Sequence, residues 1–422
     1  MTLRVNSEIG RLRRVLAHRP GPEIDTMVPE MMHELLFDDI LYGAEAQREH
    51  DVFCTVLERS GVEVLDAQDL LADVLDSPEL RSDCIERLDR RYMFRPAAVE
   101  RLEACTPRQL AAVLVAGLRT GDAADERQRR FFVMRPIPNY FFQRDPQFVA
   151  GGRVTISSMA TEAREREPML ARMIFQNHPA LAGDAEPETL ERPVFGGPDF
   201  DPEAMLPTVE GGDVLIASPE VVIVGMSERT NRRGIEALAE RWRAGGSSFK
   251  QMIVVELPST RSFMHLDTVL TFIDHNTCLA HLPVTEPGRA QSAHATVVDL
   301  EAEYLSFRLY GSLTKALAEV GLQVEIVPCG GNDRIDQERE QWTDGANAFA
   351  IEPGVIVLYE RNRRTTAELA ERGWRVLTER DVIAGAEVVG QGRTVVTFQG
   401  YELSRARGGP RCMTMPLERD DL

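Results

Sequence analysis

The chain holds little cysteine, little aromatic residue, no long apolar run and a deficit of positive charge. Its six cysteines (Cys54, Cys84, Cys105, Cys278, Cys329, Cys412) are spread over 422 residues. None forms a C-x-x-C pair, so neither a disulfide framework nor a zinc site is indicated, and a reducing cytoplasm is expected. No stretch reaches the roughly 18 apolar residues of a membrane span. Met1-Thr2-Leu3-Arg4-Val5 lacks the apolar core of a secretory signal. Lys and Arg number 48 against 67 Asp and Glu, a net charge of −19. No basic stripe stands out, which argues against a nucleic-acid partner. The acidity serves solubility first, and it also draws a cationic small molecule towards a cleft.

What is present reads as an α/β chain. Residues 1–67 give a strand at Leu12 to Ala17, then a helix opened by Pro29 and running to Phe37. A second helix covers about 44 to 60, with Val52, Phe53, Val56 and Leu57 on one face and Gly61 closing it. A strand follows at Val62 to Leu65. Residues 68–131 carry helical patterns and almost no strand signal, and Thr106-Pro107 is a cap and first-turn pair. They read as a helical insert in an α/β body made of 1–67 and 132–422.

From residue 132 one order recurs: a β-hairpin, a helix, a glycine, a strand. The hairpins are Phe148 to Ile156, Val214 to Val224, Val269 to His281 and Phe349 to Leu358. Their spacing is irregular, which excludes a solenoid of fixed period. The units read as ββαβ quasi-repeats around a centre. Residues 180–209, rich in Pro, Gly, Asp and Glu, read as a long surface loop.

The segments just before each hairpin are polar and are expected at one end of the fold. They contain Asn139, Phe142 and Asp145, then Glu210-Gly211-Gly212-Asp213, then His265 and Asp267, then Trp342 to Asn347. His265 and Asp267 are two apart in an expected strand, so both side chains project from one face. A carboxylate beside a histidine tunes it for proton transfer, although a surface pair looks the same in sequence. Asn139, Phe142 and Asp145, at spacings of three, need a turn to face one ligand. Arg164 and Arg229 are either carboxylate clamps or solvated surface arginines. Asp344 and Asn347 are either site residues or turn residues. Near the C-terminus, Ser404-Arg405-Ala406-Arg407-Gly408-Gly409-Pro410-Arg411-Cys412 delivers one thiol among arginines, which favours the thiolate. A thiol, a histidine and several carboxylates together suit a substrate that is both cation and electrophile. A guanidinium is both.

These residues resemble the arginine deiminase family over nearly the whole length. The matching segments include Ser7 to Gly10, Leu35 to Asp39, Glu49-His50-Asp51, Arg144-Asp145-Pro146, Glu210 to Asp213 and Ser227 to Thr230. They continue with Met264 to Thr268, Arg339 to Asn347 and Arg407 to Met413. The resemblance implies a five-bladed, pseudosymmetric α/β propeller (the pentein fold) with an added helical domain. It implies hydrolysis of L-arginine to L-citrulline and ammonia through a cysteine thiouronium, with no metal and no organic cofactor. Cys412 is then the nucleophile and His265 the acid and base. Asp145 and Asp267 bind the guanidinium, and Glu210 supports it and the histidine. Asn139, Arg164 and Arg229 hold the α-carboxylate, Phe142 packs on the aliphatic stem, and Arg407 is a mobile loop arginine over the site. Ala406 departs from the glycine usual in that loop.

Three alternatives stay open. One is another guanidinium reaction, an amidino transfer or the hydrolysis of a modified arginine. The second is a metal hydrolase using His265, Asp267 and Glu210, for which no H-E-x-x-H spacing exists. The third is an arginine-binding protein without catalysis. The sequence also leaves a homo-oligomer open.

Overall fold

Runs rich in Val, Ile and Leu, broken by short polar turns, fold as antiparallel pairs. Gln147–Ala150 pairs with Arg153–Ile156, Val214–Ser218 with Val221–Met226, Leu270–Asp274 with Thr277–Ala280, and Phe349–Glu352 with Val355–Tyr359. The second strand of each pair takes a parallel partner: Glu188–Thr189, Gln251–Glu256, Glu325–Pro328 and Thr394–Phe398. A parallel partner needs a crossover, and the helices Arg166–Asn177, Arg232–Ala244, Leu313–Glu319 and Arg363–Glu371 lie in those crossovers. This computed structural model describes residues 2–120, 131–182, 187–189, 206–245, 247–304 and 306–422.

A further sheet has the same pattern and is assembled from both ends of the chain. Met415–Arg419 lies antiparallel to Leu12–Ala17, and Glu63–Asp66 is its parallel neighbour after the helix Gly43–Arg59. A reading along the chain misses it because its strands stand some 400 positions apart.

Three expectations need correction. The helix from Pro29 to Phe37 is one 3-10 turn, Pro29–Met31, after which the backbone turns and Leu36 adopts φ 64°. Tertiary bonds explain this: the Leu35 carbonyl accepts from Asn139 Nδ2 at 2.7 Å and the Leu36 carbonyl from Arg261 Nη2 at 2.8 Å. The stretch between Thr277–Ala280 and its crossover helix holds two more strands, His294–Asp299 and Ser306–Tyr310. They extend the sheet of Val214–Ser218 to five strands. Arg375–Thr378 follows its helix as expected but sits at the sheet's outer edge, beyond Thr394–Phe398.

Residues 67–116 form four helices, Ala67–Val74, Pro78–Tyr92, Pro96–Glu103 and Pro107–Ala116. Thr106 and Gln109 make a capping box at the last of them. Leu71, Leu110 and Leu114 share an apolar cluster with Phe148, Leu170 and Ile174, so these helices and the first hairpin bury one core. A short strand, Leu118–Arg119, pairs with Phe132–Met134. Residues 121–130, at the end of the expected insert, and 183–186 and 190–205, most of the expected long loop, lie outside the described residues. Among the described residues no helix is long and apolar enough to cross a membrane.

Candidate active site

The polar segments ahead of the hairpins converge. Single 3-10 turns at Pro138–Phe141, Gly211–Asp213 and Leu266–Thr268 stand before three of them. The first supplies the turn that the spacing of Asn139, Phe142 and Asp145 demanded. The third corrects the strand reading: His265 precedes a turn, and strand alternation does not set its direction relative to Asp267. His265 still reaches the cavity, and Asp267 contacts the sulfur from behind it. A cavity of about 20 Å³ is lined by Asn139, Phe142, Asp145, Arg164, Arg229, His265, Arg407 and Cys412. Leu36, Arg261, Met264 and Ala406 complete its wall. Ala406 sits in the 3-10 turn Leu403–Ala406, outside the positive-φ residues, so its Cβ is accommodated.

Glu210 and Asp267 stand directly behind that wall. Glu210 Oε2 lies 2.9 Å from His265 Nε2. The Cys412 thiol donates to Asp267 Oδ2 at 3.6 Å. The packing is close enough to require glycine at two positions. A Cβ on Gly212 would meet Asp145 Oδ1 and His265 Cγ at 2.8 Å, and one on Gly408 would meet the Phe142 ring at 2.2 Å. This is why Glu210-Gly211-Gly212 can enter so crowded a centre.

The charges are arranged in two buried networks. Around His265, Arg164 donates through Nη1 to Asp145 Oδ2 at 2.6 Å and through Nε and Nη2 to Glu167. The expectation that Arg164 offers a free fork is not met here: its remaining donor bonds run to the Asn139 and Phe142 carbonyls. Arg229 differs, because its Nη1 is buried without a hydrogen-bond partner among the described residues, 3.8 Å from Glu210 Oε2. Burial opposes the charged imidazole, but Asp145, Glu210 and Asp213 outweigh it and push His265 up to about 9. His265 therefore holds its proton at neutral pH.

The second network lies behind Cys412. Arg411, 1% exposed, donates to Glu8 through Nε at 2.9 Å and Nη2 at 3.0 Å, and to Asp267 Oδ2 through Nη1 at 2.8 Å. Burial opposes ionisation of Glu8, yet Arg411 and Arg144 hold it down at about 2. Asn347 Oδ1 accepts from the Cys412 amide at 3.1 Å, while its Nδ2 donates to the Asp267 carbonyl at 3.0 Å. The Arg144 amide donates to the Cys412 carbonyl at 3.0 Å. Glu8, Glu167 and Arg261 are residues of this centre to which sequence reasoning gave no role. Spacing carries no signal for a pair such as Glu8 and Arg411.

The thiol also departs from expectation. Arg411 faces the carboxylates, and Arg405 pairs with Asp39 and Glu402. Burial, then Asp267, Asp145 and Asp344, push the Cys412 thiol well above its ordinary range. With these groups around it the sulfur is protonated at neutral pH. Alkylation of Cys412 by iodoacetamide, followed by mass spectrometry, should therefore keep accelerating from pH 7 to beyond pH 9. A rate that levels off near pH 7 would contradict this.

Two carboxylate oxygens are left over. Asp145 Oδ1 and Asp267 Oδ1 are buried and have no hydrogen-bond partner among the described residues. One belongs to the residue bonded to Arg164, the other to the residue beside the sulfur. Asp145, Glu210 and His265 bring ligand atoms within 4.8 Å of one another, a geometry a metal ion could use. Arg164 Nη1 already lies 2.6 Å from Asp145 and 3.9 Å from Glu210, so fixed cations balance these anions and oppose a divalent ion.

Comparison with known proteins decides the family. The arginine deiminase profile matches residues 33–419. The chain belongs to the arginine deiminase family. An arginine deiminase of Bacillus cytotoxicus is 35% identical, with 100% of this chain and 99% of that protein covered. One from Listeria monocytogenes is 34% identical, covering 100% and 98%. Among solved structures, an amidinotransferase of saxitoxin biosynthesis from Microseira wollei has the same fold, with a TM-score of 0.56 at 14% identity, covering 100% of this chain and 98% of that one. Members of the arginine deiminase family thus share this chain's full extent, and the mixed α/β fold reaches further, to an amidinotransferase.

Proposed function

We propose that this protein hydrolyses L-arginine to L-citrulline and ammonia through a covalent bond to Cys412. The observation that carries the reading is the pair of unpartnered buried oxygens, Asp145 Oδ1 and Asp267 Oδ1, beside a thiol and a protonated imidazole. A guanidinium offers N–H donors to both oxygens and brings the positive charge that the thiol lacks. Substrate binding thereby favours the thiolate, and the thiol proton leaves to solvent.

The thiolate then attacks the guanidinium carbon. His265 gives its proton to one terminal nitrogen, which departs as ammonia and leaves an S-alkylthiouronium on Cys412. Neutral His265 takes one proton from the attacking water, the C–S bond breaks as the new hydroxyl gives its remaining proton to solvent and becomes the ureido carbonyl, and citrulline leaves with the thiolate restored. Glu210 holds His265 through the 2.9 Å contact. Asn139 and Arg229 receive the α-carboxylate, with Arg229 Nη1 the donor to spare. Phe142 packs on the aliphatic stem. Arg164, whose donors are spent on Asp145 and Glu167, fixes Asp145. No step needs a metal or an organic cofactor, and a cytoplasmic location suits the free thiols.

On the same footing, the five sheets with one shared pattern support a five-bladed propeller, with residues 68–131 as a helical domain inserted between 1–67 and 132–422. The test of function is direct. Purified protein with L-arginine should release citrulline and ammonia in equal amounts. Ammonia-free transfer of the amidino group to an amine, or turnover confined to methylated arginine, would overturn the reading.

A further inference from the structure

In the proposed reaction Glu210 supports the histidine and Arg229 receives the α-carboxylate. Each stands in a short polar segment, Glu210-Gly211-Gly212-Asp213 and Ser227-Glu228-Arg229-Thr230. Asp213, Ser227 and Thr230 of these segments do not line the cavity. Asp213 is fully buried at the end of the 3-10 turn Gly211–Asp213. An aspartate in a turn commonly bonds the backbone of that same turn. Here both oxygens reach out of it. Oδ1 accepts from the Leu266 amide at 2.9 Å, 53 positions along the chain, and Oδ2 accepts from the Ser227 hydroxyl at 2.6 Å, 14 positions along.

These two partners belong to opposite ends of the site. The Leu266 amide is in the peptide that follows His265, so its bond fixes the backbone from which the imidazole departs. The His265 carbonyl is held as well, by the Thr268 hydroxyl at 2.6 Å. Ser227 Oγ accepts from the Arg229 amide at 3.0 Å and from the Thr230 amide at 3.2 Å. With both lone pairs taken, its one proton goes to Asp213. Thr230 Oγ1 in turn accepts from the Glu210 amide at 3.1 Å. The turn that carries Arg229 is thus tied at two points to the turn that carries Glu210. Room is kept for the carboxylate: a Cβ on Gly225, in the strand Val221–Met226, would collide with Asp213 Oδ1 and lie 2.8 Å from Leu266 Cβ.

Resting on the function proposed above, we propose that Asp213 is a positioning residue that sets both ends of the substrate's seat. One oxygen, through the Leu266 amide, aims the His265 acid and base. The other, through Ser227, places the arginine that receives the α-carboxylate. A single buried carboxylate thereby fixes the span between the reacting end of L-arginine and its anchored end. Such alignment has a large effect on rate, since a misplacement of about 1 Å costs about 10²-fold.

The two bonds can be cut separately. Ser227→Ala removes the Oδ2 branch alone. L-Arginine binding, measured by calorimetry in a Cys412→Ala background, should weaken about tenfold, while kcat with Cys412 present should fall by no more than about twofold. Ser227→Thr keeps the hydroxyl and should restore the affinity. Asp213→Ala cuts both branches, so binding should weaken as in Ser227→Ala and kcat should also fall by about tenfold or more. Should Asp213→Ala fail to fold, the two Ser227 variants decide alone. A merely structural role gives no such split. Equal losses of affinity and kcat in Ser227→Ala, no loss of either, a Ser227→Thr protein as weak as Ser227→Ala, or a folded Asp213→Ala protein with wild-type kcat overturns the proposal. No citrulline from the wild type would sink the functional reading and this inference with it; an active wild type whose variants show no split sinks this inference alone.

Discussion

Replacing Cys412 with alanine should reduce citrulline formation by at least about 10⁴-fold while leaving L-arginine bound, because a covalent step has no substitute nucleophile nearby. The other described cysteines are free thiols elsewhere in the fold, and none lines the cavity. When the sulfur is removed Asp145 keeps Arg164, Glu210 keeps His265, and Asp267 loses the thiol but keeps Arg411, so the carboxylates stay in place. Binding should not weaken, since the thiol is neutral. The checks are single-turnover citrulline assay and calorimetry on the same preparation. Residual turnover within tenfold of wild type would mean that water, and not sulfur, attacks the guanidinium carbon.

Arg411→Met should destabilise the fold by about 3–5 kcal/mol, the usual cost of stranding a buried charge partner. Arg411 is 1% exposed and its guanidinium ties Glu8 and Asp267 to the Val214 carbonyl. Methionine fills much of the volume and removes the charge, leaving two buried carboxylates to repel each other. Urea unfolding measures the loss. The double variant Arg411→Met with Glu8→Gln should recover part of it, because one stranded anion is gone. The pH dependence has a definite sign. Glu8 is held at about 2, below its ordinary 4.5. Its contribution, about 3 kcal/mol, is therefore complete above pH 4.5 and is lost as pH falls towards 2. Wild type and Glu8→Gln should converge in stability over that window. A stability gap that stays constant from pH 6 to pH 3 would show that Glu8 is not ionised in the folded protein.

Local patterns carried much of the fold. Alternating apolar runs around Gly151-Gly152, Pro219 and Pro353-Gly354 specified hairpins by turn chemistry, and those pairs formed with little change of bounds. What failed was decided at long range. The helix expected after Pro29 gave way to a turn because its carbonyls bond Asn139 and Arg261. The sheet made from Leu12–Ala17 and Met415–Arg419 joins residues that no window can see together. The strand Ser306–Tyr310 sits at a sheet edge, with Phe307 and Leu309 exposed, so its pattern lacks the buried face that marks a strand, whereas His294–Asp299 lies inside the sheet and buries Ala295, Val297 and Val298.

The site shows the same division. Residue types and order were enough to name the thiol, the histidine and the carboxylates: Cys412, His265 and Asp145 line the cavity, and Glu210 and Asp267 contact them from behind. The charge state of the sulfur was not legible, because it depends on where guanidinium groups point. Arg411 adjoins Cys412 in sequence yet spends its charge on Glu8 and Asp267. Arg164 looked like a clamp by position but is consumed by Asp145 and Glu167. Asn347, read as a turn residue or a site residue, holds the Cys412 amide.

The most direct measurement is of the covalent bond itself. A Glu210→Gln variant takes from His265 the one carboxylate hydrogen-bonded to it, leaving Asp145 and Asp213, which should make the imidazole a weaker base, slow the water step and let the adduct accumulate. Mixed with L-arginine, acid-quenched within seconds and digested, it should yield a Cys412 peptide heavier by one arginine less one ammonia. Citrulline appearing at a steady rate from a Cys412 peptide that never gains mass would contradict the covalent route.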